Sequence, residues 1–169
     1  MSEFEQHIRT LTLIKTPIPE PGEGKRGEDG YLGYLLRQAA AAHRHRMDKA
    51  LADLGITPPQ FAVLTMLRAY PGHSNADLAR LALLTPQTVS VIVANLERAG
   101  LIGRRRHEAH GRIQHLELTE PGAALLDQAT ERARVLDRDL AADLGPQEEL
   151  AVRRWLAVAA TGKSAPKPD

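Results

Sequence analysis

The sequence predicts a mainly α-helical protein that contains a winged helix-turn-helix with a small β-hairpin wing, plus an all-helical dimerisation region. Two short amphipathic segments, each with a capping residue at its start, lie between Ser74 and Gly100. An arginine-rich stretch with strand-like alternation follows them, and longer segments of helical periodicity flank the whole region. Because a helix-turn-helix places its second helix in the major groove, this arrangement is typical of proteins that bind double-stranded DNA.

The first helix of the predicted motif begins after Ser74. The Ser74 hydroxyl can accept a hydrogen bond from a free backbone amide, and Asp77 puts a carboxylate at the positive end of the helix. Apolar residues at helical spacing then predict one buried stripe, formed by Leu78, Leu81 and Ala82. Leu83 and Leu84 are expected to carry the chain through a tight turn.

The second helix is predicted to start with Thr85 as its N-cap and Pro86 at the first helical position, where the missing N–H costs nothing. Its apolar residues repeat at helical spacing and share one face: Val89, Ile92, Val93 and Leu96. The opposite face carries residues that can meet base edges or phosphates: Gln87, Thr88, Ser90 and Val91. Gly100 is expected to end the helix.

A basic β-hairpin is predicted directly after this helix. Residues 101–106 and 113–118 have the pattern of two short strands, with Gly111 near the tip, where a positive φ is needed. Five arginines and one acid, Glu108, lie between residues 98 and 112, which is a local charge of +4 against +1 for the whole chain. Such a cluster indicates phosphate binding, and an arginine on a narrow hairpin tip suits the minor groove.

Helical periodicity also predicts the supporting elements. Residues 31–54 form an alanine-rich helix, and Thr57 and Gln60 have the capping-box spacing at the start of a helix that is apolar on most sides and therefore central. Thr119 is expected to cap a long helix, and a last helix is expected to end near Ala160. The long helix carries an apolar seam with spacings of three and four: Leu126, Ala129, Ala133, Leu136 and Leu140.

Residues 31–160 resemble the MarR family of transcriptional regulators. The resemblance rests on the order and spacing of short stretches at residues 54–61, 76–79, 88–90, 96–104 and 111–122. One stretch departs from the family pattern, which has Asp-Arg-Arg at the wing tip where this chain has His110, Gly111 and Arg112. The arginine of the tip is therefore kept, whereas the acid that orients the wing is missing.

The resemblance implies a homodimeric regulator, most often a repressor, that binds a pseudo-palindromic operator. It implies that one set of residues contacts or supports the major groove: Thr85, Pro86, Gln87, Thr88 and Ser90. It implies that Arg112 enters the minor groove and that Ser74, Arg104 and Arg105 meet phosphates. It also implies a small-molecule effector, an anionic phenolic or lipophilic compound, with pocket candidates Tyr34, Arg37 and His43. His43 has the alternative interpretation of a histidine at the edge of the core.

The chain is predicted to have an N-terminal arm, which is either a flexible leader or an arm that drapes over a partner subunit, and a loose C-terminal tail. Residues 1–30 combine prolines, glycines and charges, a composition that cannot pack a core by itself. The resemblance implies that residues 31–160 form the family domain, in which 31–56 and 119–160 are dimerisation helices and 57–118 the winged helix-turn-helix. The tail covers residues 161–169.

Composition narrows the possible classes further. The 169 residues contain no cysteine, which excludes disulfides and thiol-based sensing within this chain. No run approaches the roughly 20 apolar residues of a membrane helix. Glu3 and Glu5 precede an apolar stretch too short for a signal peptide, so a cytoplasmic protein is expected, with no membrane partner.

Three other functions are the alternatives to a DNA-binding regulator. An enzyme would need a catalytic motif or a cofactor-binding motif, and the sequence contains neither. A metal-responsive regulator would need a complete ligand set: His107, His110 and His115 lack a cysteine or a clear carboxylate, and His43 and His45 point apart on a helix. An architectural DNA-binding or interaction module without an effector stays open, because effector pockets carry no motif.

Overall fold

The computed structural model describes residues 17–106 and 114–162. The helices and strands follow one another in this order: α1 (Leu32–Leu51), α2 (Pro58–Ala69), α3 (Asn75–Leu81), α4 (Pro86–Arg98), β1 (Ile102–Arg106), β2 (Gln114–Leu118), α5 (Glu120–Ala141) and α6 (Pro146–Ala160). Two 3-10 helices, Gly24–Arg26 and Ala52–Leu54, precede and follow α1. The chain divides into two compact units, and the boundary between them falls inside α1, after His43.

In the first unit, residues 17–30 fold against the start of α1. The Arg26 guanidinium donates a 2.7 Å hydrogen bond to the Pro19 carbonyl, and the Gln38 side-chain amide donates a 2.9 Å bond to the Arg26 carbonyl. Composition predicted that this segment cannot pack a core by itself, and none of its described residues is buried. Hydrogen bonds rather than apolar burial hold its described part, and composition does not reveal such bonds. Residues 1–16 of the expected arm lie outside the described residues.

The second unit contains the hydrophobic core. α2 is central, as its sequence predicted, because it packs against α3, α4, α5 and β2. Its start has the expected capping box, in which the Gln60 amide donates to the Thr57 hydroxyl and the Thr57 amide donates to the Gln60 side chain at 2.8 Å. The buried apolar residues are Met47, Leu51, Ile56, Val63, Leu64, Leu67, Leu78, Ala79, Val89, Ile92, Val93, Leu96, Ile102, Leu116, Leu126 and Ala129.

Element boundaries agree with the sequence prediction to within a few residues. The α-helical part of α1 ends at Leu51, and a 3-10 turn leads to Gly55, whose φ is 69°. The predicted stripe of α3 is partly wrong: Leu78 and Ala79 are buried, whereas Leu81 and Ala82 are half-buried. Because α3 packs against both α2 and α4, its buried surface is not a single stripe.

A reciprocal cap starts α3. The Asp77 amide donates to the Ser74 hydroxyl at 3.2 Å, and that hydroxyl donates to the Asp77 carboxylate at 2.6 Å. The Ser74 amide also donates to this carboxylate, and Arg80 forms an ion pair with it. These hydrogen bonds, the Ser74 hydroxyl first and Arg80 second, lower the pKa of Asp77 from 3.8 to about 2.

The start of α5 is fixed against the end of α4. The Thr119 hydroxyl donates a 2.7 Å bond to the Gly100 carbonyl and accepts one of 3.1 Å from the Gly122 amide. Gly122 is buried, and a Cβ at this position would lie 1.8 Å from the backbone oxygen of Leu101. Only glycine therefore allows α5 to approach the chain this closely.

The seam of α5 is buried along only its first half. Leu126 and Ala129 are buried and Ala133 and Leu136 are half-buried, whereas Leu140 is 57% exposed. α6 buries none of its residues. A groove between the two helices is lined by apolar and charged side chains: Asp137, Leu140, Ala141, Leu144, Glu149, Val152, Arg153 and Leu156. This chain alone thus leaves an apolar surface on α5 and α6 uncovered.

In the ranges 17–106 and 114–162, no single helix is long and apolar enough to cross a membrane. Two pairs of helices meet the length and composition test only when both members of a sharply bent pair are counted together.

Gly122→Ala should destabilise the protein, because the added methyl group meets a backbone oxygen that cannot rotate away. Overpacking of this kind costs about 1–3 kcal/mol of unfolding free energy, measurable by urea denaturation. Gly33→Ala is the matched control, since a Cβ at this helical glycine meets nothing within 4 Å. Equal stability of the two variants would contradict the close approach at Gly122.

Asp77→Asn should lower the stability at neutral pH but not in strong acid. The folded-state pKa of Asp77 is depressed, so its carboxylate stabilises the fold above about pH 4, and this contribution is lost as the pH falls towards 2. Urea denaturation of both proteins between pH 2 and 7 should show their stability difference shrinking below pH 4. A difference that stays constant down to pH 2 would show that the charge of Asp77 does not matter.

Candidate nucleic-acid interface

Helix α4 has one buried face and one exposed face. Val89, Ile92, Val93 and Leu96 are all buried, as the spacing predicted. The side chains on the other side are exposed: Gln87, Thr88, Ser90 and Val91. Burial of the apolar face therefore presents a surface made mainly of small and polar side chains to solvent.

Most hydroxyls at the start of α4 are used within the helix. Thr85 caps it by accepting from the Thr88 amide at 3.1 Å, and the two threonine hydroxyls lie 2.8 Å apart. The Ser90 hydroxyl donates to the Pro86 carbonyl at 2.9 Å. The Ser90 proton is therefore used within the helix, as is one of the two threonine protons, and all three hydroxyls can still accept hydrogen bonds from a ligand.

Gln87 differs from these hydroxyl residues. Within the described parts of the chain, its side-chain amide makes no hydrogen bond. One donor group and one acceptor group therefore project from the first turn of α4 into solvent. A glutamine of this kind can pair with N6 and N7 of adenine in the major groove.

The turn before α4 has an unusual backbone conformation. Leu83 has a φ of 56° and is 91% exposed, and the Leu84 amide closes the turn by donating to the Ala79 carbonyl at 2.9 Å. Left-handed backbone costs an L-residue about 1–2 kcal/mol. The tight turn was predicted, but nothing in the sequence indicated that a leucine, rather than a glycine or asparagine, would adopt this conformation.

The wing is an antiparallel hairpin in which Ile102 pairs with Leu118 and Arg106 with Gln114. Its predicted phosphate-binding arginines both have acidic neighbours. Arg104 donates two hydrogen bonds to Glu97, of 2.6 and 3.2 Å, and this carboxylate raises the pKa of Arg104. A count of charges along residues 98–112 misses Glu97, because this residue lies one position before the counted stretch.

Arg105 lies 3.6 Å from the carboxylate of Glu117, which is on the paired strand and also outside the counted stretch. Two sequence signals could have revealed these acids. Glu97 lies near the end of α4, a few residues before β1 begins, and Glu117 lies on the strand that pairs with the strand of Arg105. The positive potential of the described wing is consequently lower than the local sequence suggests, while the Arg104–Glu97 contact joins the end of α4 to β1.

The remaining predicted contacts fall on different parts of the chain. Ser74 is exposed at the start of α3, with its hydroxyl directed to Asp77. Arg112, the predicted minor-groove residue, lies outside the described residues, as do His107 and His110.

The three effector candidates all lie on α1, but only two of them are neighbours. The guanidinium of Arg37 lies 5.6 Å from the centre of the Tyr34 ring, and the Tyr34 hydroxyl donates to Gln38 at 3.3 Å. His43 follows Tyr34 by nine residues, which is about two and a half helical turns and therefore the opposite side of α1. Helical arithmetic on the sequence would have separated His43 from the other two residues.

The described residues contain no group of three or more histidine, aspartate or glutamate side chains that could hold a metal ion. His43 and His45 are half-buried and exposed, respectively, on α1, and His115 lies on β2.

Comparison with known proteins places this arrangement in a family. Residues 54–113 match the profile of the MarR family. The chain is 37% identical over 129 residues to the HTH-type transcriptional repressor Rv2887 of Mycobacterium tuberculosis. The aligned region covers 76% of this chain and 93% of the repressor.

Solved structures agree with this assignment. The crystal structure of Rv2887 with salicylic acid superposes with a TM-score of 0.65 at 37% identity, covering 77% of this chain and 96% of that one. The structure of Rv2887 with DNA gives a TM-score of 0.62 at 35% identity, covering 76% and 97%. BpsR of Bordetella bronchiseptica, whose DNA binding is regulated by 6-hydroxynicotinic acid, gives 0.70 at 25% identity, covering 79% and 95%. The chain belongs to the MarR family of transcriptional regulators.

Proposed function

We propose that this protein is a DNA-binding transcriptional regulator, a ligand-responsive repressor that binds a pseudo-palindromic operator as a homodimer. The observation that carries the proposal is the exposed face of α4, whose Gln87 amide has no hydrogen-bond partner in the described chain. The relatives also support the proposal, because the chain is 37% identical to Rv2887, a repressor that has been crystallised with DNA.

In this proposal α4 enters the major groove. Gln87 contacts a base edge, while Thr85, Pro86, Thr88 and Ser90 form the first turns that approach the bases and the phosphates. Ser74 lies exposed at the N-terminus of α3, where its hydroxyl and amide donate to the Asp77 carboxylate, and it is the proposed phosphate contact of this helix. Arg112 enters the minor groove at the flank of each half-site, where a narrow A·T-rich groove concentrates negative potential.

Arg104 and Arg105 contact phosphates only if a phosphate can compete with their carboxylate partners, Glu97 and Glu117. Both ion pairs are exposed, and exposed pairs contribute about 0–1 kcal/mol. A phosphate can therefore compete for either guanidinium. Glu97 keeps Arg104 beside the recognition helix, so the contact predicted for Arg104 lies close to the major groove.

The homodimer is proposed from the apolar surface on α5 and α6. Leu140 is exposed on α5, and Leu150, Trp155 and Leu156 are more than 40% exposed on α6. Large exposed apolar patches mark interfaces in soluble domains. MarR regulators function as dimers, and a two-fold axis matches a palindromic operator because each recognition helix then meets one half-site.

A small anionic aromatic compound is the proposed effector. Rv2887 has been crystallised with salicylic acid and with p-aminosalicylic acid, and BpsR responds to 6-hydroxynicotinic acid. In this chain Tyr34 and Arg37 present an aromatic ring and a guanidinium side by side on α1. The effector releases DNA only if it binds the DNA-free conformation more tightly, by about 1–3 kcal/mol.

Members of this family are transcriptional regulators, and we infer that this chain is not an enzyme, because it carries no catalytic motif. A regulator of chromosomal genes acts where the chromosome lies, so we expect it in the cytoplasm.

The function is tested by a gel shift of the purified protein with the DNA upstream of its own gene, at several salt concentrations. Binding that resists competitor DNA and protects two half-sites supports the proposal. Binding that is weak and falls steeply with salt on every DNA would indicate a general phosphate contact instead.

Gln87→Ala should weaken operator binding by about 1–3 kcal/mol through the loss of one bidentate base contact. Fluorescence anisotropy with a set of single-base operator variants should show that specificity relaxes at one position in each half-site. Gln128→Ala, at an exposed glutamine on α5, is the control and should bind like the unchanged protein. An equal loss on every operator variant would reassign Gln87 to a backbone contact.

Arg112→Ala should reduce affinity most for operators with A·T-rich flanks, because the narrow minor groove is where an inserted arginine gains most. The same measurement with G·C-rich flanks is the internal control and should show a smaller loss. Unchanged affinity on both kinds of operator, with an unchanged melting temperature, would rule out the proposed role of the wing tip.

A further inference from the structure

Val91 is an exposed aliphatic residue in the middle of the DNA-facing side of α4. Its side chain is 62% exposed, although Ile92 and Val93 beside it in sequence are buried. Valine is a weaker helix former than alanine, so helix stability does not favour it at an exposed position. Neither the core nor the helix therefore explains this valine.

The helix places Val91 next to Gln87. The two residues are four positions apart, so they share one face of α4 and lie about 6 Å apart along its axis. Neighbouring base pairs are about 3.4 Å apart. A helix that brings Gln87 to one base pair therefore brings Val91 to a base pair one or two steps away.

The chemistry of the major groove restricts what an aliphatic side chain can recognise there. Base edges expose hydrogen-bonding groups, which valine cannot pair, and one apolar group, the C5-methyl group of thymine. On this face the Ser90 hydroxyl donates to the Pro86 carbonyl and the Thr85 and Thr88 hydroxyls share one hydrogen bond, whereas Gln87 makes no hydrogen bond within the described residues. Val91 is the large apolar side chain of this face.

We propose that Val91 is a specificity-determining residue that packs against a thymine methyl group, one or two base pairs from the base that Gln87 contacts. This inference rests on the proposed binding of operator DNA. It makes the Gln87–Val91 pair the base-reading element of α4, with a preference for a site that contains both adenine and thymine.

The test begins with duplexes selected by the full-length protein from a random-sequence pool. In the selected half-site each thymine is replaced in turn by deoxyuridine, which lacks only the methyl group, and affinity is measured for the unchanged protein and for Val91→Ala. At one position, the replacement by deoxyuridine should weaken binding by the unchanged protein about fourfold per half-site. This is the loss expected when one methyl group is no longer removed from water on binding. Val91→Ala should bind the thymine and uracil duplexes equally.

Gln87→Ala is the matched control, since it alters the same face but keeps the valine. It should bind more weakly overall and still lose affinity at the uracil position. Val91→Ala should melt at the same temperature as the unchanged protein or slightly above it, because Val91 is exposed and alanine is the better helix former.

Two results would overturn the inference: tolerance of uracil at every position by the unchanged protein, or the same loss at the same position in Val91→Ala. Failure of the pool to yield any enriched sequence is a different outcome, because it would contradict sequence-specific DNA binding itself.

Discussion

Burial of one face of α4 is the constraint on which the candidate interface depends. Val89, Ile92, Val93 and Leu96 pack into the core formed with α2, α3 and β1. Each fully buried aliphatic side chain contributes about 1.5–3 kcal/mol, so rotation of α4 about its axis would expose a large apolar area. The rotation is thereby determined, and the residues between the buried positions must face solvent. The exposure of Gln87 and Val91 is a consequence of this packing.

Contacts at the ends of elements then orient the neighbouring parts. The Thr119 hydroxyl joins α5 to the Gly100 carbonyl, and Gly122 permits the close approach to Leu101. Arg104 joins the wing to Glu97 at the end of α4. Exposed ion pairs add little to the free energy of unfolding, so the effect of this pair is mainly geometric. The Arg104–Glu97 pair keeps the hairpin beside α4.

The two regions proposed for assembly and for the effector have different support. The apolar residues of α5 and α6 are visible as an uncovered surface, and Leu140 and Trp155 are its clearest members. The proposed effector residues Tyr34 and Arg37 form one contact on α1, whereas His43 lies on the other side of the helix. A dimer would cover the apolar surface of α5 and α6. An anionic aromatic ligand would contact the Tyr34 ring and the Arg37 guanidinium.

The amino-acid sequence alone determined the order of the elements, the capping residues Ser74, Thr57, Thr85 and Thr119, and the buried face of α4. These features depend on side chains a few positions apart, which periodicity and capping spacing report directly. The tertiary structure decided which charges meet and which residues approach closely. Glu97 and Glu117 lie outside the arginine-rich stretch, and only the packing of β1 against α4 and the strand register bring them to Arg104 and Arg105. Such contacts depend on how the elements pack against each other, which a count of charges along the chain does not report.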